Sequence, residues 1–416
     1  MSERIVIKEI CEVYDGPHAT PKKTVDGPVY LGIDAITDDG KINAKEFAHL
    51  SEEDYIKWTK RVTPQYGDIV FSYEATLGRY ALIPKDFYGC LGRRLAIIRN
   101  VSKDIDTLWL YYYFLSPEWK QFIQSKIIKG STVNRISVED FPTYTVPNIS
   151  IKVQRKIANI LSKIDEKIAL NNNINDNLEQ QLMLLYDYWF TQFDFPDNDG
   201  NPYQTSGGKM VWNDTLKRNI PENWKVQSVI SNSLSSIIKP GVEIFNTKTY
   251  LATADIKGTS ISTGTIVDYD GRESRANMQP SINSVWFAKM KNSIKHLYLN
   301  KEMQPIISSS ILSTGFCGLQ CNKISFEYIA SYVSNAYFEI HKDMLAHGAT
   351  QEAVNNDDLA GVHIIIPEDT VLRAYHEATQ AIYAQISKNI CENQELVKLR
   401  DWLLPMLMNG QATISD

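Results

Sequence analysis

An apolar heptad seam occurs twice in this chain, and both copies carry asparagine at their centre. Counting from Ile157, one set of seam positions holds Ile157, Ile164, Asn171, Leu178 and Leu185, and the other Leu161, Ile168, Asn175, Leu182 and Trp189. The second copy holds Tyr375, Ile382, Asn389, Leu396 and Leu403, with Thr379, Ile386, Asn393, Arg400 and Leu407. A 3.5-residue apolar period sustained this long specifies a helix that buries one stripe against a partner helix. Asparagine weakens such a seam, but it penalises every register in which it meets an apolar side chain. If the two helices run antiparallel, Asn171 meets Asn393 and Asn175 meets Asn389. The residue numbers of these pairs share one total. Holding that total brings Ile168 to Leu396, Leu178 to Ile386, Leu182 to Ile382, Leu161 to Leu403 and Ile157 to Leu407. One mismatch results, Ile164 against Arg400, whose head group is expected to reach solvent. The asparagines then read as a register pin at a pseudo-twofold centre. The other reading of the same periodicity is two separate amphipathic helices, each packed on its own domain.

The seams belong to a longer internal repeat. KGSTVNRISVEDF (129–141) lies over HGATQEAVNNDDL (347–359) at an offset of 218, and VYLGIDAI (29–36) over TYLATADI (249–256) at an offset of 220. The segments VYLGIDAI, GDIVFSYEA, RYALIPK and RLAIIRN are strand-like runs bounded by Gly, Pro and Asp, whereas 106–127 reads as a helix pair broken at Ser116-Pro117. The expected fold class is α+β: two mixed, β-rich domains separated by a pair of long antiparallel coiled-coil helices, with an internal pseudo-twofold repeat. The expected boundaries are a first mixed domain over 1–150, a first long helix over 151–192, a connector over 193–220, a second mixed domain over 221–368 and a second long helix over 369–411. Forty helical residues span ~60 Å, so such a pair would hold two similar modules at a set separation. Two DNA-reading modules of that kind would contact two short sequences with unread base pairs between them.

Charge distribution is informative where net charge is not. The chain carries −6 overall, and residues 26–75 hold 5 basic against 10 acidic side chains. Residues 79–135 reverse that balance with 10 basic and 4 acidic, and 272–301 with 6 basic and one acidic, Glu273. Two basic stretches in an acidic chain suit two footprints on a polyanion; two solvated surfaces account for them equally well. The five Cys are odd in number and scattered, the opening MSERIVIKEICEVYDG has no secretory core, and no apolar run reaches membrane-spanning length. A cytoplasmic protein with reduced thiols is expected. Cys317 and Cys321 lack a second ligand pair, so no metal is expected. No phosphate-binding glycine loop, paired metal-ligand set or methyltransferase tetrapeptide is present, and NPY at 201–203 reads as a turn.

The order of motifs resembles the specificity subunit of Type I restriction–modification systems, over essentially the whole chain. YDGPHATPK (14–22) and TLGRYALIP (76–84) resemble the family's first-domain motifs, and GSTVNRIS (130–137) and GATQEAVN (348–355) its repeated Gly-x-Thr element before each long helix. PYQTSGGKMVWNDTLKRNIPENW (202–224) resembles its connector and LRDWLLPMLMNGQ (399–411) its closing helix; Gln154 keeps the family's helix-opening glutamine, for which the second copy has no match. The resemblance implies two target recognition domains that read an asymmetric, bipartite double-stranded DNA site. It implies as partners two methylating subunits that bind S-adenosylmethionine, and optionally restriction subunits that hydrolyse ATP. The chain itself would be non-catalytic and need no cofactor. A coiled-coil adaptor for protein partners alone, and a stand-alone DNA-modifying enzyme, are the competing classes.

Candidate DNA contacts follow from side-chain chemistry. In the first module these are Arg79, Arg93 and Arg94, since arginine pairs bidentately with guanine or anchors phosphate, together with His18 and Thr20 on a proline-framed loop and Ser72 and Tyr73 at a strand end. In the second they are Arg272, Arg275 and Asn277, with Lys289, Lys291 and Lys295 better suited to phosphate. Each of these residues has a bland alternative as a surface ion pair, turn former or solvated face. Thr132 and Thr350 of the Gly-x-Thr elements are expected to cap or hinge the module–helix junctions.

Overall fold

The computed structural model describes residues 3–130, 133–349 and 351–412; Thr132 and Thr350 lie outside them. The chain divides into two compact units, Met1–Glu166 with Lys398–Asp416, and Lys167–Val397. The fold is α+β.

The first unit is built on a four-stranded antiparallel sheet in the order Cys11–Asp15, Leu95–Asn100, Ile69–Ser72, Tyr80–Leu82. Beside it Thr24–Leu31 pairs parallel with Gly89–Leu91 and antiparallel with Ala48–His49. The parallel pair explains two glycines of GCLG: a Cβ on Gly89 would lie 2.2 Å from the Val29 carbonyl oxygen, and one on Gly92 2.4 Å from that of Leu31. Helix α1 (Glu52–Trp58) follows the short edge strand. The helix pair expected from Ser116-Pro117 is α2 (Thr107–Leu115) and α3 (Pro117–Ser125). Asp106 and Ser116 cap them by accepting from the Trp109 and Trp119 backbone amides, and Pro117 occupies the first turn, where it lacks no needed donor. Every residue from Trp109 to Phe114 is buried, because α2 packs into an aromatic core with Tyr80, Trp119 and Phe141. Gln154, wholly buried in α4 (Ile151–Tyr186), accepts from the Asp106 amide and donates to the Asp104 and Ile149 carbonyls, which ties the helix start to that core.

The second unit repeats the plan. Ser235–Ile237, Phe316–Cys321, Ser284–Ala288 and His296–Leu299 form the four-stranded antiparallel sheet, and Lys248–Leu251 pairs parallel with Ser310–Ser313. Its helices are α5 (Gln304–Ser309), α6 (Phe326–Ser334), α7 (Ala336–Met344) and α8 (Asp369–Met408). The stretch expected as a connector is more than a link. Phe193, Phe195, Ile220 and Trp224 are buried in this unit's core, and Met210–Asn213 and Arg218–Pro221 form a hairpin. Its polar composition disguised a few aromatics that stack on one another, Phe195 on both Tyr203 and Trp224.

The antiparallel seam is present within each unit. In the first, Ile157 and Leu161 of α4 share a core with Leu403 and Leu407 of α8; in the second, Leu178 and Leu182 share one with Ile382 and Ile386. Asn171 donates to Asn393 at 2.9 Å and Asn389 to Asn175 at 2.8 Å, the two pairs that the heptads give. Asn393 also donates to Asn172, and Asn171 to Glu392. Trp189 and Tyr375, on the same register, lie with ring centroids 5.4 Å apart. Arg400 departs from expectation. Its side chain is only 14% exposed and pairs with Asp165 at 3.0 Å and Asp401 at 2.9 Å, because a carboxylate one residue beyond Ile164 meets it inside the seam. The Tyr112 hydroxyl donates to the other Asp165 oxygen at 2.7 Å.

Candidate nucleic-acid interface

In the first unit several loops meet at one end of the four-stranded sheet. The Tyr73 amide donates to the Arg94 carbonyl at 3.1 Å, its carbonyl accepts from Ile136 at 2.8 Å, and Gly16 donates to Leu95 at 3.0 Å. The ends of strands Cys11–Asp15 and Ile69–Ser72, the turn 92–94 and the Ile128–Arg135 bridge therefore form one rim. Arg93 is exposed on it, and among the described residues its guanidinium has no partner. Arg94 sits at φ 73°, an uncommon conformation for a non-glycine residue, and pairs with Glu74 at 3.0 Å. His18 lies 2.9 Å from Asp15 with its ring mostly exposed, and Thr20 is exposed. Tyr73 is nearly buried, and desolvation and the neighbouring Asp15 charge hold its hydroxyl protonated, well above the ordinary tyrosine range.

Two expected contacts are engaged within the unit. Ser72 is wholly buried; its hydroxyl donates to the Thr76 carbonyl and accepts from the Arg79 amide, closing the turn after the strand instead of marking an exposed tip. Arg79 is bidentate to Asp38, at 2.6 and 3.0 Å, and donates to the Ile36 carbonyl at 3.1 Å, so its guanidinium staples a loop. Arg61 and Arg135, which are not among the expected contacts, also lie on this rim. Arg61 reaches the Asp15 carbonyl at 3.4 Å with most of its side chain exposed, and exposed Arg135 bridges to Glu74 through its backbone. Arg61 lay hidden in the acidic stretch 26–75, while Arg135 stood inside the Gly-x-Thr motif without being singled out.

The second unit has the same rim. Lys289 donates its amide to the Gly315 carbonyl at 2.9 Å and accepts from Val354 at 3.0 Å, the bonding that Tyr73 has in the first unit. Lys291 pairs with Glu352 at 2.9 Å. Arg275 is exposed, its carbonyl held by the Thr314 amide at 2.8 Å, and its guanidinium has no partner among the described residues. Asn277, half-buried, lies beside it with its carbonyl accepting from Gly241. Two candidates are again engaged internally. Arg272 stacks over Tyr269 at 3.9 Å and donates to its carbonyl, and Lys295 donates to the Thr253 carbonyl at 2.5 Å. Cys317 and Cys321 are buried on one strand, and burial pushes the Cys317 thiol up to about 12. Among the described residues no His/Cys/Asp/Glu group is placed to hold a metal, and no helix is long and apolar enough to cross a membrane.

Comparison with known proteins gives a class: residues 2–180 match the family described as the Type I restriction modification DNA specificity domain. More particularly, it is similar to the type I restriction enzyme MjaIX specificity subunit of Methanocaldococcus jannaschii, 23% identical across 88% of this chain and 82% of that one. The HindI specificity subunit of Haemophilus influenzae is 22% identical across 83% and 86%. The crystal structure of a Type I restriction–modification S subunit from M. genitalium aligns over 100% of this chain and 97% of that one, at 13% identity and a TM-score of 0.49. The family resemblance drawn from the motifs is the one these comparisons return.

Proposed function

We propose that this chain is the DNA-sequence-recognition subunit of a type I restriction–modification complex and that each unit reads one half of an asymmetric, bipartite target. The observation that carries the reading is the repetition of the rim: Tyr73 and Lys289 occupy equivalent backbone positions, each beside an exposed arginine, Arg93 or Arg275, whose guanidinium has no partner among the described residues. The modules differ in the side chains they display there, so their half-sites differ. His18, Thr20, Arg61, Tyr73, Arg93, Arg94 and Arg135 are the contacts proposed for the first half, and Arg275, Asn277, Lys289 and Lys291 for the second. Chemistry belongs to partners in this reading. Two methylating subunits bring S-adenosylmethionine, restriction subunits that hydrolyse ATP join them optionally, and the complex works in the cytoplasm. The chain contributes specificity and scaffolding and is itself non-catalytic, with no cofactor of its own.

The test is methylation mapping of the host genome with and without this chain. A bipartite methylated motif should be present with it and vanish on its deletion; a motif that persists unchanged sinks the proposal. Purified chain alone should not retain labelled S-adenosylmethionine, and retention would move the reading towards a stand-alone enzyme. Duplex DNA should shift in mobility with the assembled complex, which a purely protein-binding adaptor would not produce.

A further inference from the structure

Lys342 of α7 is wholly buried. Its ammonium lies 2.8 Å from Glu339 and 3.2 Å from Asp343, and donates to the carbonyls of Ala288 at 3.4 Å and Met290 at 3.2 Å. Those two carbonyls bracket Lys289, the residue at the centre of the second rim. The Asp343 carboxylate in turn accepts from the Asn292 amide at 3.1 Å, and Glu339 lies 2.8 Å from His296 at the start of the next strand. Charged groups of one helix thus hold the 288–292 turn at Ala288, Met290 and Asn292, beside the backbone bonds that Lys289 and Lys291 make to Gly315, Val354 and Glu352.

Packing does not require a charge there. The corresponding helices α3 and α7 start from side-chain caps at Ser116 and Asn335. Seven residues after each cap stand Ile123 and Lys342, and Ile123 is buried among apolar neighbours. The same fold position therefore accepts an aliphatic side chain in one repeat and carries a fully desolvated cation in the other. Buried ion networks are commonly no more stabilising than apolar side chains of similar volume, so their attested use is to select one geometry over others. The geometry selected here is that of the turn presenting Lys289 and Lys291. Phosphate contacts fix the register in which a module sits on DNA, and base discrimination depends on that register.

We propose that Lys342 is a positioning residue for DNA recognition: by holding the carbonyls on either side of Lys289 it fixes the 288–292 turn and so sets the stringency with which the second half-site is read. This rests on the DNA-reading function proposed above.

Two measurements on Lys342→Met test it. Hydrogen exchange on the full chain should show the Lys289, Lys291 and Asn292 amides exchanging at least tenfold faster, with those of Trp286 and Leu297 unchanged. Methylation mapping in cells that carry the chain and its methylating partners should show methylation at sites mismatched in one half rising about tenfold, with the other half unrelaxed. The relaxed half should be the one that Arg275→Ala alters. Unchanged exchange in the turn, acceleration throughout the unit, or equal relaxation of both halves would overturn the proposal. Should the single variant fail to fold, Lys342→Met with Glu339→Gln and Asp343→Asn removes the stranded carboxylates and is read in the same way. If the wild-type chain directs no bipartite motif, the DNA-reading function fails, while the exchange result still decides whether Lys342 holds the turn.

Discussion

Arg93 and Arg275 are the residues on which the functional reading is most directly exposed to test. Both are outward and unpartnered among the described residues, whereas Arg79 and Arg272 are already held by Asp38 and Tyr269. Arg93→Ala should alter one half of the methylated motif only, and Arg275→Ala only the other. If the lost contact is bidentate to a base, discrimination at one position falls by ~1–3 kcal/mol; if it is to phosphate, all sequences weaken about equally. Either change altering both halves would contradict separate readers. Arg79→Ala should instead lower the thermal midpoint, since it frees a staple between Asp38 and Ile36, and leave the motif unchanged. These distinctions were not legible in sequence. Arg79 and Arg93 stand in the same basic stretch, and only the fold places a carboxylate beside one of them. Ser72 shows the same limit, because a serine after an apolar strand is either a displayed tip or a turn closure, and the Thr76 carbonyl decides which.

At the scale of the elements, the paired helices make two predictions. Replacing Asn171, Asn175, Asn389 and Asn393 together with Leu should raise the denaturation midpoint while adding oligomers or shifted registers, because buried amides act mainly against wrong pairings. A variant that is less stable yet uniform in size-exclusion chromatography would show that the amides stabilise and do not specify. Asp165→Ala should cost stability in the first unit, since it strands Nη1 of Arg400 and the Tyr112 hydroxyl. The loss should fall short of the ~3–5 kcal/mol typical of a fully buried pair, because Asp401 keeps one partner. Asp165→Ala with Arg400→Met should recover most of that loss, as measured by urea denaturation. The seam itself was readable from heptads, down to the asparagine partners. Arg400 was misjudged because heptads describe only seam positions, and Asp165 lies one place off the seam.

For the molecule as a whole, the repeat and the two long helices frame the proposed bipartite target. Removing one heptad from α4 and one from α8 takes out ~10 Å of helix, which at ~3.4 Å per base pair should shorten the unread spacer by roughly three pairs with both half-sites intact. Methylation mapping reads this directly, and an unchanged spacer would mean that helix length does not set it. Fold class, duplication and the antiparallel seam were determined by the sequence alone, because periodicity and repetition are local patterns that survive without coordinates. The tertiary structure decided which cations remain free. It drew the aromatics of the supposed connector into a core, closed Ser72 into a turn, paired Arg79, Arg400 and Lys295, and set Lys342 beneath Lys289. Those outcomes depend on which acceptors distant segments bring within about 3 Å, the reach of a hydrogen bond, and no spacing along the chain encodes that distance.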